Sequence, residues 1–152
     1  MNSVTQEDSL GCSLACIAQL THKSYQAILK LVDHQKAQTQ GFYCKELVSI
    51  LSYLGYNYNY KYLKPRLKKL IYTNGVIVFI KRSKKYPNGH YLIRVNKTWM
   101  DPWINFSATA RIIDATAGFR KRLPGTPIYA LFPRQILVSE QKNTCCYKSN
   151  NR

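Results

Sequence analysis

The sequence predicts an α+β domain in which N-terminal helices pack on an antiparallel sheet. Three observations predict it. Apolar residues recur at helical spacing as far as Leu54, strand-like alternation begins at Tyr56, and no linker-like stretch or internal repeat divides the chain. A chain of 152 residues can bury one proper core and is too short for two ordinary domains. The expected domain covers residues 1–140, and 141–152 forms a polar tail expected to be flexible.

Leu10, Leu14, Ile17 and Ala18 share one helical face, so a first helix begins at Cys12 behind Gly11. Ser24 is placed to cap a second helix carrying Tyr25, Ile28, Leu29 and Val32. Gln35 to Gly41 is polar and reads as a loop. A third helix runs from Tyr43 to Leu54 on Leu47, Ile50, Leu51 and Leu54, and Gly55 stops it. Tyr56, Tyr58, Tyr60 and Tyr62 then alternate with Asn57, Asn59 and Lys61, a strand with one aromatic face. Pro65 to Tyr72 reads as a short basic helix or turn, Gly75 to Ile80 as a buried strand, and Lys81 to Gly89 as a charged loop. His90–Val95 and Thr98–Asp101 make a hairpin turning at Asn96-Lys97. Pro102 onward leaves the sheet edge. Phe106 to Phe119 is a short helix or an irregular crossing, and Ile128 to Phe132 is one more strand.

Charge is the outlier of the composition. Lys and Arg number 23 against 7 Asp and Glu, a net +16 that exceeds what solubility requires and favours acidic partners. The first ten residues are polar and read as no signal peptide, and no apolar run approaches the ~20 residues of a membrane span. Five cysteines, an odd number, argue for reduced thiols and a cytoplasmic, reducing compartment, in the producer or in a host cell.

The stretch Gln6-Glu7-Asp8-Ser9-Leu10-Gly11-Cys12 places a cysteine at a helix start and a glutamine six residues before it. A helix N-terminus presents unpaired N–H groups and a positive dipole end, which favour a thiolate. Gln6 can turn its amide toward the same point. With the N–H of Cys12 it would hold the negative oxygen formed when a thiolate attacks a carbonyl.

The Gln-x5-Cys spacing, with small and apolar residues after it, resembles the start of papain-like cysteine peptidases, most closely the peptidase C39-like group. The resemblance continues at Asn88-Gly89-His90-Tyr91-Leu92-Ile93-Arg94-Val95 and at Met100-Asp101-Pro102-Trp103, covering scattered motifs between roughly residues 4 and 106. Two features depart from the group: Gly11-Cys12-Ser13 stands where Asp-Cys-Gly is frequent, and the interval from His90 to Asp101 is short. The resemblance implies a papain-like fold and a cysteine peptidase. Cys12 would be the nucleophile, His90 the base, Asp101 the group that fixes the base, and Gln6 the oxyanion donor. Its substrate would be a peptide or isopeptide bond in a peptide or protein, with small residues or glycine beside the cleaved bond. The same residues also serve deamidation and acyl transfer.

Each residue has a plainer reading. A buried helical cysteine is usually a small apolar residue, a lone strand histidine is seldom a base, and Asp before Pro commonly forms a turn. The joint occurrence of Gln6, Cys12, His90 and Asp101 in order favours chemistry over these. Cys16 reads as core. A zinc site from Cys12, Cys16 and Cys44 has a weak spacing signal, and neither metal nor cofactor is expected. His22 and His34 read as solvated. Cys145 and Cys146, adjacent in the tail, carry no preference among accident, lipidation and redox use. The basic clusters near Lys61 to Lys69, Lys81 to Lys85 and Arg120 to Arg122 support a rival reading. In it, a basic module holds nucleic acid or an acidic protein on a catalytically silent fold. No nucleic-acid motif accompanies them, so nucleic acid is not the favoured partner, and an acidic protein substrate would explain the charge equally well.

Overall fold

In the computed structural model, residues 2–139 are described, and Cys145 and Cys146 lie outside them. Helix α1 (Cys12–Thr21) starts at Cys12 with Gly11 at its N-cap, and it buries Leu14, Ile17 and Ala18 completely. In α2 (Tyr25–Leu29), Ser24 caps the start by accepting from Ala27 N at 3.1 Å. Of the stretch from Gln35 to Gly41, expected as loop, residues 35–39 instead belong to helix α3 (His34–Thr39), with Asp33 accepting from Gln35 N at 3.0 Å. Its polar composition hides it because its anchors are tertiary. Leu10 N donates to Ala37 O, Lys36 pairs with Glu46, and His34 pairs with Asp8. Helix α4 (Cys44–Tyr53) has Tyr43 N donating to Glu46 Oε2 at its start, and Gly55 follows it at φ +88°.

Among the described residues there are six strands: β1 (Tyr58–Tyr62), β2 (Ile77–Ile80), β3 (His90–Val95), β4 (Thr98–Asp101), β5 (Gly118–Arg120) and β6 (Pro127–Pro133). They form one antiparallel sheet in the order β1-β6-β2-β3-β4-β5. The β3–β4 hairpin turns through Asn96 at φ +54°, as its sequence predicts. The sheet does not end where Pro102 begins. After an irregular crossing with a three-residue 3-10 turn (Ile112–Asp114), β5 returns to pair with β4, Met100 facing Phe119. Three residues are too few to leave a periodic signal.

Strand alternation divides two cores. On the helix side, Tyr58, Ile77, Tyr91, Ile93, Met100 and Leu131 pack with α1, α2 and α4. On the other side, Val78, Ile80, Leu92, Trp99, Ala130 and Phe132 pack under Leu67 and Ile71 of a 3-10 helix (Pro65–Tyr72). Helix α1 lies along β3. This brings the start of α1 to the end of β3 that His90 begins.

Candidate active site

Asp101 ends β4 and His90 opens β3, so the hairpin register sets them diagonally on the same face. His90 Nε2 and Asp101 Oδ1 are 2.7 Å apart, and Asp101 is completely buried. The same Oδ1 accepts from Trp103 N at 3.0 Å, the turn-forming role an Asp-Pro sequence suggests. Asp101 Oδ2 lies 3.0 Å from Arg120 Nε without hydrogen-bond geometry, a charge contact supplied by β5. Burial opposes the Asp101 carboxylate, but the His90 bond, its charge, the Trp103 N–H and Arg120 together hold its pKa below the ordinary value.

Burial likewise opposes a charged His90. Asp101 and then Cys12 overturn it, pushing the imidazole up to about 9. With Nε2 occupied by Asp101, Nδ1 is the nitrogen left for Cys12. Tyr86 stacks on the His90 ring at 4.9 Å and 8°, and Phe106 stacks on Tyr86 in turn. These rings fix the plane of the imidazole.

Gln6 and Cys12 line, with His90, a cavity of about 450 Å³. Gln6 is 2% exposed, and its backbone N–H donates to Pro102 O. Its amide Nε2 donates to Asp8 O at 3.0 Å and to Ser9 O at 3.2 Å, while Oε1 is buried without a partner. The reverse orientation would set Oε1 against two carbonyls, so the amide is fixed as a staple of the loop. To act as an oxyanion donor it must give up the longer bond to Ser9. The N–H of Cys12, at the first position of α1, has no partner one turn back in the helix.

The loop before Cys12 is anchored by a cluster that the sequence does not announce. Asp8, 6% exposed, accepts from Tyr25 Oη at 2.7 Å and meets His34 Nε2 at 2.8 Å. His34 is exposed, as its sequence reading expects, and its ring still reaches the buried Asp8 carboxylate. Gly11 makes this possible, because a Cβ there would lie 1.9 Å from Tyr25 Oη. Glycine at position 11 is thus a packing requirement of this chain.

Cys12, Cys16 and Cys44 are free thiols, and Cys16 is wholly buried in the helix-side core, its pKa raised by that burial. Cys44 sits 3.6 Å from Tyr91 Oη. Among the described residues no group of His, Cys, Asp and Glu is arranged to hold a metal ion, and no helix is long and apolar enough to cross a membrane. Arg120, Tyr86 and the Asp8 cluster are the contributors that sequence reasoning missed. The nearest signal was Tyr86, four residues before His90. No family model matches the chain, and no curated protein matches it.

Proposed function

We propose that the chain is a papain-like cysteine hydrolase, resembling the C39-like peptidases, that cleaves a peptide or isopeptide bond through an acyl-thioester. The observation that supports it is the gathering of Cys12, at the start of α1, and the buried His90–Asp101 pair at one open cavity. In this reading the Cys12 sulfur, as thiolate, attacks the carbonyl carbon. The oxygen takes the displaced electron pair and is held by the N–H of Cys12 and by Gln6 Nε2. The carbonyl re-forms as the C–N bond breaks, and the His90 imidazolium gives its Nδ1 proton to the leaving amine. A water then gives a proton to His90, its oxygen adds to the thioester, and the C–S bond breaks to restore the thiolate. Asp101 holds the imidazole by Nε2 throughout. An amide side chain as substrate would make this deamidation, and an amine in place of water would make it acyl transfer. The reducing setting expected from the cysteines belongs to the same proposal.

The test is alkylation of Cys12 by iodoacetamide across pH, read by mass spectrometry, in wild type and His90→Ala. The reading expects fast alkylation of Cys12 near neutral pH that drops at least tenfold in His90→Ala, with Cys16 inert in both. Equal and slow reaction of Cys12 in both proteins would leave the rival, a basic binding module on a silent fold, as the better account.

A further inference from the structure

The sheet is only partly covered. At one end Tyr58, Ile77, Leu131 and Ile93 lie buried beneath α1 and α4. Further along the same face the pairing sets Tyr62 opposite Tyr129, Tyr129 opposite Phe79, and Phe79 opposite Tyr91. One aromatic row therefore crosses four neighbouring strands. Tyr62 is 59% and Tyr129 37% exposed, and the cavity that contains Cys12 and His90 is floored by Tyr60, Tyr129, Phe79 and Tyr91. At about 4.8 Å between strands the row is roughly 14 Å long, the span of four or five residues of extended peptide.

The charge around this trough is of one sign. Between Glu46 and Asp101 the sequence holds no Asp or Glu, while eleven Lys and Arg fall in that span. Backbone pairing gathers several of them at the end of the sheet that His90 shares. Leu63 N bonds Ile128 O and Lys81 N bonds Thr126 O, which brings the backbones of Lys64 and Lys81 to the start of β6. Arg82, Lys84 and Lys85 follow in the exposed loop that leads to His90. Lys45 and Arg82 line the cavity itself, which has no acidic residue in its lining. Among the described residues, no carboxylate pairs with any of these six.

We propose that this trough binds an extended acidic peptide segment, its apolar side chains on the aromatic floor and its carboxylates on Lys45 and Arg82, leading into the Cys12–His90 cleft. Calling the peptide a substrate rests on the hydrolase reading, whereas the docking itself does not. The rings favour a peptide over nucleic acid. Tyr62 and Tyr129 meet edge to face at 77°, and Phe79 tilts onto Tyr91 at 4.9 Å. Such rings offer a ribbed apolar surface, whereas base stacking needs open ring faces.

The experiment measures fluorescence anisotropy of Cys12→Ala protein, at physiological salt, with a labelled peptide alternating Glu with Leu. A Lys-for-Glu peptide and a single-stranded oligonucleotide of equal charge are the comparisons. The double variant Lys45→Glu/Arg82→Glu is set against Lys97→Glu, which reverses a charge at the hairpin turn roughly 20 Å away along β3. The proposal expects the acidic peptide to lose at least tenfold in affinity in the double variant and under about twofold in Lys97→Glu. It also expects the peptide to slow iodoacetamide at Cys12 of the wild type. No binding, equal losses in the two variants, unprotected Cys12, or an oligonucleotide that binds as tightly with the same losses would each overturn it. If peptide docking persists while Cys12 alkylation ignores His90→Ala, the hydrolase reading falls and the docking proposal stands.

Discussion

His90 is held between opposing demands, since burial disfavours its charge while Asp101 and Cys12 favour it. Its pKa rises to about 9 from an ordinary ~6.5, so the folded state binds the proton more tightly than the unfolded chain. The stability this contributes is fully present below pH ~6.5 and is lost as pH rises through 9. Asp101 is the converse case: its depressed pKa contributes stability above the ordinary carboxylate range, lost as pH falls through the folded value. Urea melts at pH 6, 7.5 and 9.5 should therefore show the gap between wild type and His90→Gln narrowing toward pH 9.5. A gap constant across that range would contradict the charged pair. Gly11→Ala belongs to the same scale. The added Cβ meets Tyr25 Oη at 1.9 Å, so Tyr25 or the loop must shift. The expected cost is about 1–3 kcal/mol in urea unfolding, with slower alkylation of Cys12. Cys12, His90, Asp101 and Gln6 stand out in the sequence because their types and order are unusual together. Arg120 does not, since nothing along the chain links it to an aspartate nineteen residues earlier.

At the scale of elements, the informative case is α3. Apolar periodicity gives it no support, although Gln35, Lys36, Ala37 and Gln38 are good helix formers; Asp33 caps it, and bonds to Leu10, Glu46 and Asp8 hold it against the loop before Cys12. Tyr25→Phe tests that coupling. Removing the hydroxyl leaves a buried Asp8 oxygen without its donor, and a loss of about 1–3 kcal/mol is expected. Hydrogen exchange should quicken over residues 6–11 and along α3 while β2 and β3 keep their protection. Uniform loss across the sheet would mean that the cluster supports the whole fold and not the loop. Elements with a strong internal pattern, such as α1, α4 and the β3–β4 hairpin, were legible. Those made by contacts distant in sequence, α3 and β5, were not.

For the whole molecule, +16 is a field as well as a composition. Like charges repel in the compact state, and salt screens them, with a Debye length of about 10 Å at 0.1 M. Calorimetry should find Tm rising by a few degrees between about 20 mM and 300 mM NaCl. A Tm that stays flat or falls would mean that the excess charge is already offset within the fold. The core itself should follow ordinary rules: Trp99, 1% exposed on the sheet's far side, is expected to cost about 3–5 kcal/mol on replacement by Ala in the same melts.

The sequence by itself determined the α+β order, the helix that Cys12 opens, the hairpin that carries His90 and Asp101, and the excess of positive charge. Each of these is written in local periodicity, capping or composition. Only the tertiary structure decided that β6 inserts between β1 and β2, and that tyrosines from β1 and β6 align with Phe79 and Tyr91. Those outcomes depend on strand register and on partners as far apart in the sequence as Tyr58 and Pro133. Such pairings are chosen by how the two cores fill, and no window of the sequence contains that information.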